Sequence, residues 1–260
     1  MPRIKPIEHE DRLSIVEHLD ELRSRLVVCA FVLAISFGLC FWQNHLLLDI
    51  ANNPLGSHRK PITLAPAEAF TTTMTVSAYF ALLLALPIIL WQLYAFVLPA
   101  FTPGERKVAL PLLLLVPVLF ITGVVFAYFV VIPAALKFLL DFNTGQFQNE
   151  IRARDYYSFV TLTLVALGAV FQMPLGILAA TKIGLVTPQK LRKNRRYAFL
   201  VIAVVAAMLP GVDPVSMLLE MLPLLVLFEL SILLASAFGR PASADADPEV
   251  ADRLASAEGS

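Results

Sequence analysis

The stretch that decides the fold is SRLVVCAFVLAISFGLCFWQ, residues Ser24–Gln43, whose one charged side chain is that of Arg25. A helix needs about 20 predominantly apolar residues to cross the hydrocarbon core of a bilayer. The sequence therefore predicts an all-α, polytopic membrane protein with six transmembrane helices. The five further apolar runs are Thr71–Val97, Val108–Ile132, Tyr156–Ala180, Tyr197–Leu209 and Val215–Ser236.

Composition excludes the other broad classes of protein. Of the 260 residues, 58% are hydrophobic and 15% are charged, whereas soluble domains have about 45–50% apolar and about 25% charged residues. The abundance of Leu, Val, Ile and Phe also excludes a disordered chain. Because 20 basic residues balance 20 acidic ones, net charge gives no indication of a nucleic-acid partner.

Lys and Arg are distributed unequally between the two sides of the predicted bundle. Fifteen of the 20 lie in the N-terminal segment up to Arg25, in the C-terminal tail and in the connections after the second and fourth helices. Because cytoplasmic loops carry the excess of positive charge, we expect both termini in the cytoplasm. The five on the opposite side are Arg59, Lys60, Lys137, Arg152 and Arg154.

Three regions follow from this pattern. Residues 1–23 should form a cytoplasmic amphipathic helix, residues 24–236 the six-span membrane domain, and residues 237–260 a disordered cytoplasmic tail. The fifth apolar run has 13 residues before Pro210 and Pro214 force a turn, so we expect the fifth and sixth helices to be short. Prolines such as Pro87 and Pro117 should bend their helices into a concave bundle.

No catalytic or metal-binding motif occurs in the sequence. It lacks a Gly-rich phosphate loop, His-Glu-x-x-His, Gly-x-Ser-x-Gly and cysteine pairs at zinc-ligand spacing. We therefore predict no catalytic residues, no metal, no cofactor and no enzymatic activity.

Polar residues at or inside the membrane are the better candidates for function. Asp20, Glu21 and Glu105 should lie at the cytoplasmic boundary, where a solvated charge is the ordinary interpretation. Gln172 and Glu220 lie inside predicted spans, where polar groups are costly and commonly functional. For Gln172, an interhelical hydrogen bond is the simpler interpretation. A secondary transporter of a small solute is the alternative function, and only these last two residues could form its midplane site.

The chain resembles the TatC family, the multispanning signal-peptide receptors of the twin-arginine protein translocase. The resemblance runs from about Ser14 to Phe238. Its motifs, in order along the chain, are HLDELRSRL (18–26), PAEAF (66–70), AFVLPAF (95–101), ERK (105–107), FAYF (126–129), FQMP (171–174), LRKNRRY (191–197) and Asp213.

The resemblance implies a protein-export subunit of the bacterial cytoplasmic membrane. Such a subunit binds signal peptides that carry two consecutive arginines, and it helps to transport folded proteins with the proton motive force. Its implied partners are small single-span subunits of the TatA and TatB type, folded substrates, and membrane lipid, in an oligomeric complex. The signal-contacting residues of the family map onto Glu21, Glu105 and Phe96, with Asp20 and Arg23 in support.

Three positions bear on how closely the family pattern applies. Many family members have Glu where this chain has Gln172, and Glu220 lies outside the pattern. Asp213 matches a family acid in the last outer turn, but an Asp before a proline is also a common turn residue and helix N-cap.

Overall fold

A computed structural model describes residues 9–56, 59–97, 103–142, 150–182, 186–209 and 214–238. The regular elements of these ranges are helices. One isolated β-bridge also occurs in them, between Ile62 and Arg152. The all-α prediction is therefore confirmed. The α-helices are α1 (His9–Trp42), α2 (Asn44–Asn52), α3 (Glu68–Val97), α4 (Pro103–Phe126), α5 (Ile132–Asp141), α6 (Ala153–Val170), α7 (Met173–Lys182), α8 (Pro188–Lys193), α9 (Arg195–Met208) and α10 (Pro214–Phe238).

Within the described ranges, five helical stretches are long and apolar enough to cross a membrane. The fifth predicted span, α9, has 14 residues and is about 21 Å long, which confirms that it is short. The expectation of a short sixth helix is wrong, because α10 has 25 residues. Pro214 begins this helix, which continues to Phe238 without a break.

The third span extends further than its sequence pattern suggested. A π-helical segment, Ala127–Val131, follows α4, and α5 then continues to Asp141. The predicted end at Ile132 is therefore nine residues too early. Pro133 explains the irregularity, because it has no N–H to donate to the preceding turn and the widened π turn absorbs the missing bond.

The fourth span is two helices rather than one. It breaks at Phe171 and Gln172, between α6 and α7. Pro174 cannot donate a hydrogen bond to the end of α6, so the last turn tightens, and the Gln172 N–H donates to the Ala169 carbonyl at 3.0 Å. The break places an amide side chain in the interior of the bundle.

The α6 helix is central to the packing. It contacts α3 on one side and α4 on another, while α1 packs on the far side of α3, and α10 packs against α7 and α9. Two glycines allow α4 and α6 to approach closely. A Cβ atom added at Gly123 would lie 2.9 Å from the Leu167 carbonyl oxygen, and one at Gly168 would lie 2.6 Å from the Phe120 ring. Small residues have this role in many membrane-helix interfaces.

Two connections are joined at the end of the bundle where α3 and α6 begin. The Ile62 N–H donates to the Ile151 carbonyl, and the Ala153 N–H donates to the Ile62 carbonyl, each at 2.8 Å. Arg152 Nε donates to Glu68 Oε1 at 2.8 Å, and the Glu68 side chain is only 3% exposed. The Glu68 carboxylate therefore raises the pKa of the Arg152 guanidinium. We call these two backbone bonds and the ion pair the loop clamp.

Candidate functional site

Glu21 lies on the N-terminal half of α1 and forms an ion pair with a residue one helical turn later. Arg25 Nε and Nη2 both donate to Glu21 Oε1, at 3.0 Å and 2.6 Å. The side chains are partly accessible, with 35% of Glu21 and 25% of Arg25 exposed. The spacing of four residues, with the acid first, is the favourable order for such a pair on a helix. The carboxylate of Glu21 thus already binds a guanidinium.

A second helix holds the same arginine. Arg25 Nη1 donates to Gln92 Oε1 on α3 at 2.8 Å. The helices α1 and α3 pack against each other, and as consecutive membrane spans they run in opposite directions. Four residues back from Arg25 therefore correspond to four residues onward from Gln92. This register places Glu21 of α1 and Phe96 of α3 at the same level of the bundle. Phe96 is half-buried there.

Glu105 lies at the same end of the bundle. Only residues 98–102 separate α3 from α4, so the first turn of α4, which contains Glu105, must lie close to the last turn of α3. The backbone of Glu105 is helical, but its side chain lies outside the described residues. The structure therefore brings Glu21 and Phe96 to one level and places the backbone of Glu105 at the same end.

The two supporting residues do not join this contact. Asp20 and Arg23 are exposed on α1, whereas Arg25 lies against α3. Sequence reasoning used Arg25 only as a positive charge that indicates orientation. The spacing of Glu21 and Arg25, four residues apart on a predicted helix, was the signal that could have identified the pair.

Gln172 is buried inside the bundle, and only 6% of it is exposed. Its Nε2 donates to the Val116 carbonyl on α4 at 3.1 Å, while its Oε1 is buried without a hydrogen-bond partner. The predicted interhelical hydrogen bond therefore forms. It links the break in the fourth span to α4, and this structural role needs no charge.

Glu220 and Asp213 complete the predicted set. Glu220 on α10 is fully buried. Asp213 lies outside the described residues. Glu229, one of the acids inside the last predicted span, is 42% exposed and pairs with Arg195 at 2.9 Å. Among the described residues, no three His, Cys, Asp or Glu side chains come together as a metal site would require.

Comparison with known proteins gives consistent matches over most of the chain. The family model described as "TatC: Sec-independent protein translocase protein (TatC)" matches residues 17–223. The TatC protein of Carboxydothermus hydrogenoformans is 35% identical over 229 residues, covering 87% of this chain and 94% of the relative. That of Aquifex aeolicus is 36% identical, covering 85% of this chain and 94% of the relative.

A solved structure has the same fold. A crystal structure titled "Crystal Structure of Twin Arginine Translocase Receptor- TatC" is 34% identical, with a TM-score of 0.73, and covers 86% of this chain and all of the solved chain. Family model, relatives and solved structure agree in sequence and in fold. The chain therefore belongs to the TatC family of Sec-independent protein translocase proteins.

Proposed function

We propose that this chain is the subunit of a Tat translocase that receives twin-arginine signal peptides before folded proteins are exported. Glu21, Phe96 and Glu105 would form its contact surface for the signal. Family membership does not favour the alternative of a small-solute transporter.

One observation carries this proposal: the Glu21 carboxylate binds a guanidinium at 2.6 Å and 3.0 Å. Both bonds end on Oε1, and a carboxylate oxygen that accepts charge-assisted bonds from one guanidinium can accept them from another. The guanidinium of Arg25 therefore serves as an internal stand-in for the ligand. In this account, a signal arginine exchanges with Arg25, which keeps its bond to Gln92 on α3.

The second signal arginine needs a second carboxylate on the same surface. Glu105 supplies it, because the first turn of α4 follows the end of α3 after five residues. Phe96 offers a half-buried aromatic surface to the apolar residues of a signal peptide. Asp20 adds negative charge beside Glu21, and Arg23 is the exposed basic neighbour that the resemblance places in support.

The proposed orientation puts this surface at the cytoplasmic face of the bacterial plasma membrane, with both termini in the cytoplasm. The distribution of Lys and Arg supports it. The short helix α9 is then the fifth of six spans. The helix α1 crosses residue 23 without interruption, so the N-terminal amphipathic region would continue directly into the first span.

We propose small single-span Tat subunits and folded twin-arginine substrates as the partners, within an oligomeric complex. The α9–α10 hairpin is the proposed docking surface for the single-span subunits, since a short helix leaves room beside its longer neighbours. Nothing would be hydrolysed by this chain, and the proton motive force would drive transport.

The test is binding of a synthetic twin-arginine signal peptide to the purified protein. The peptide should bind, and replacement of both its arginines by lysine should abolish binding, because an ammonium cannot make two parallel bonds to one carboxylate. If the lysine peptide binds equally well, the carboxylate–guanidinium site is wrong.

A further inference from the structure

A polar cavity lies between the first turns of α3 and α6, at the opposite end of the bundle from Glu21 and Phe96. Its volume is about 250 Å³. The signal-peptide proposal makes no use of it. Its lining comprises four residues of α3, namely Thr71, Thr72, Thr75 and Val76, and three of α6, namely Arg154, Tyr157 and Ser158.

The threonine hydroxyls of this cavity fall into two kinds. Thr71 Oγ1 donates to the Ala67 carbonyl at 3.1 Å, and Thr75 Oγ1 donates to the Thr71 carbonyl at 2.8 Å. Each hydroxyl has one proton, so these two oxygens offer only lone pairs to a ligand. Thr72 differs, because it is only 6% exposed and its Oγ1 has no hydrogen-bond partner. A buried hydroxyl without a partner is costly, and a ligand acceptor in the cavity would satisfy it.

The charge of the cavity favours an anion. Arg154 is exposed, and within the described ranges its guanidinium forms no ion pair. The acidic neighbour Glu68 is bound by Arg152 instead, and Asp155 is exposed next to Arg154 without lining the cavity. The cavity also faces the N-terminal turns of two helices, whose partial positive charge favours anions.

Helix length places this cavity at the level of lipid headgroups. The apolar stretch that begins at Glu68 has 29 residues and is about 43 Å long, whereas the hydrocarbon core is about 30 Å thick. About four residues at each end therefore extend beyond the hydrocarbon. Thr71 and Thr72 then lie at the boundary between acyl chains and headgroups, and Thr75 lies about one helical turn deeper.

We propose that this cavity binds the headgroup of a phospholipid, specifically a phosphodiester whose headgroup also carries an N–H or O–H donor. Arg154 and the Thr72 hydroxyl bind the phosphate oxygens, and the headgroup donor binds the lone pairs of Thr71 and Thr75. A headgroup with an ammonium, such as that of phosphatidylethanolamine, meets both requirements.

The test is lipid binding to the delipidated full-length protein in detergent, measured by native mass spectrometry and by the midpoint of thermal unfolding. Phosphatidylethanolamine should bind and raise the midpoint, whereas diacylglycerol with the same acyl chains, which has no phosphate, should not. Phosphatidylcholine should bind more weakly, because its headgroup has no N–H.

Variants identify the site. Arg154→Gln should weaken phosphatidylethanolamine binding about tenfold, as expected for the loss of a charge-assisted hydrogen bond, and Thr72→Val should weaken it by a smaller factor. Arg59→Gln is the matched control, because Arg59 is also exposed and lies outside the cavity lining. It should leave binding unchanged.

Two outcomes would overturn the proposal. Equal lipid binding by the Arg154→Gln and Arg59→Gln proteins would show that the cavity beside Arg154 is not the lipid-binding site. Stabilisation by inorganic phosphate at the concentration at which the lipid acts would show that the ligand is a free anion, which rejects the lipid assignment. Neither outcome affects binding of the twin-arginine peptide, so the two proposals fail separately.

Discussion

Glu21 and Arg25 are one helical turn apart on α1, and Arg25 uses separate nitrogens for the Glu21 carboxylate and for Gln92 on α3. The arginine therefore links the carboxylate to the neighbouring helix. An anion that a ligand can reach is thus kept at a fixed position before any ligand arrives. A ligand guanidinium must therefore exchange with Arg25 to reach Glu21 Oε1.

The exchange mechanism makes a prediction about Arg25. In an Arg25→Gln protein, a signal arginine no longer competes for Glu21, so the Kd for a twin-arginine peptide should fall about two- to fivefold. The factor corresponds to the strength of a partly exposed ion pair. Fluorescence anisotropy with a labelled peptide measures it.

Arg192→Gln is the control for charge alone, because Arg192 is exposed in α8. Its effect on the Kd should be smaller. If Arg25→Gln instead weakens binding, then Arg25 positions the carboxylate and does not compete for it.

Removing the carboxylate itself should have the opposite effect. Glu21→Gln should weaken peptide binding by at least about tenfold, because a charge-assisted pair is lost, and Glu105→Gln should also weaken it. Asp20→Asn removes an adjacent but exposed carboxylate and should change the Kd much less. Equal losses in the Glu21 and Asp20 variants would mean that only general negative charge matters.

The close approach of α4 and α6 predicts a stability effect away from the peptide site. Gly123→Ala places a Cβ atom 2.8 Å from the Phe171 ring and 2.9 Å from the Leu167 carbonyl oxygen. Overpacking of this kind should lower the free energy of unfolding by about 1–3 kcal/mol. Gly38→Ala on α1, where nothing lies within 4 Å, should not lower it. Denaturant unfolding of both variants measures the two free energies of unfolding, and equal values would contradict the prediction.

The loop clamp should also contribute to stability. Glu68→Gln leaves Arg152 without its carboxylate partner, and we expect the midpoint of thermal unfolding to fall by about 5 °C. Asp155→Asn removes an exposed carboxylate from the first turn of α6 and is the comparison. A similar midpoint for the two variants would show that the ion pair adds nothing.

The short helix α9 predicts a local change in the bilayer. Tyr197 and Met208 are both exposed, and eleven residues of helix separate them by about 17 Å, against about 30 Å of hydrocarbon. Spin labels at these two positions should both report depths near the headgroups, because the bilayer thins beside residues 197–220. Depths that indicate normal thickness there would contradict this.

Much of the fold could be predicted from the sequence, because the length and polarity of the apolar runs are direct consequences of the bilayer. The short α9 followed from Tyr197–Leu209 and the prolines after it. The break at Gln172 and the extension of the third span to Asp141 could not be predicted in the same way. Both depend on how the bundle accommodates a proline, and Pro87 shows that a proline can also remain inside an unbroken helix.

The candidate site was predictable only in part. The resemblance singled out Glu21 and Phe96, and the antiparallel register of α1 and α3 brings them to one level. The role of Arg25 required three-dimensional information, since its contact with Gln92 joins residues 67 positions apart. The burial of Glu220 was equally inaccessible, because the sequence does not indicate which face of α10 meets α7 and α9.

The loop clamp has a mechanical consequence. The clamp fixes α3 to α6 at one end only. A change in the angle between the two helices would therefore pivot about that end. A tilt of about 5° would move the far end of α3 by roughly 4 Å, and Gln92 and Phe96 lie near that end. A small rotation about the clamped end would thus become a displacement of several ångströms at the end where Arg25 holds Gln92.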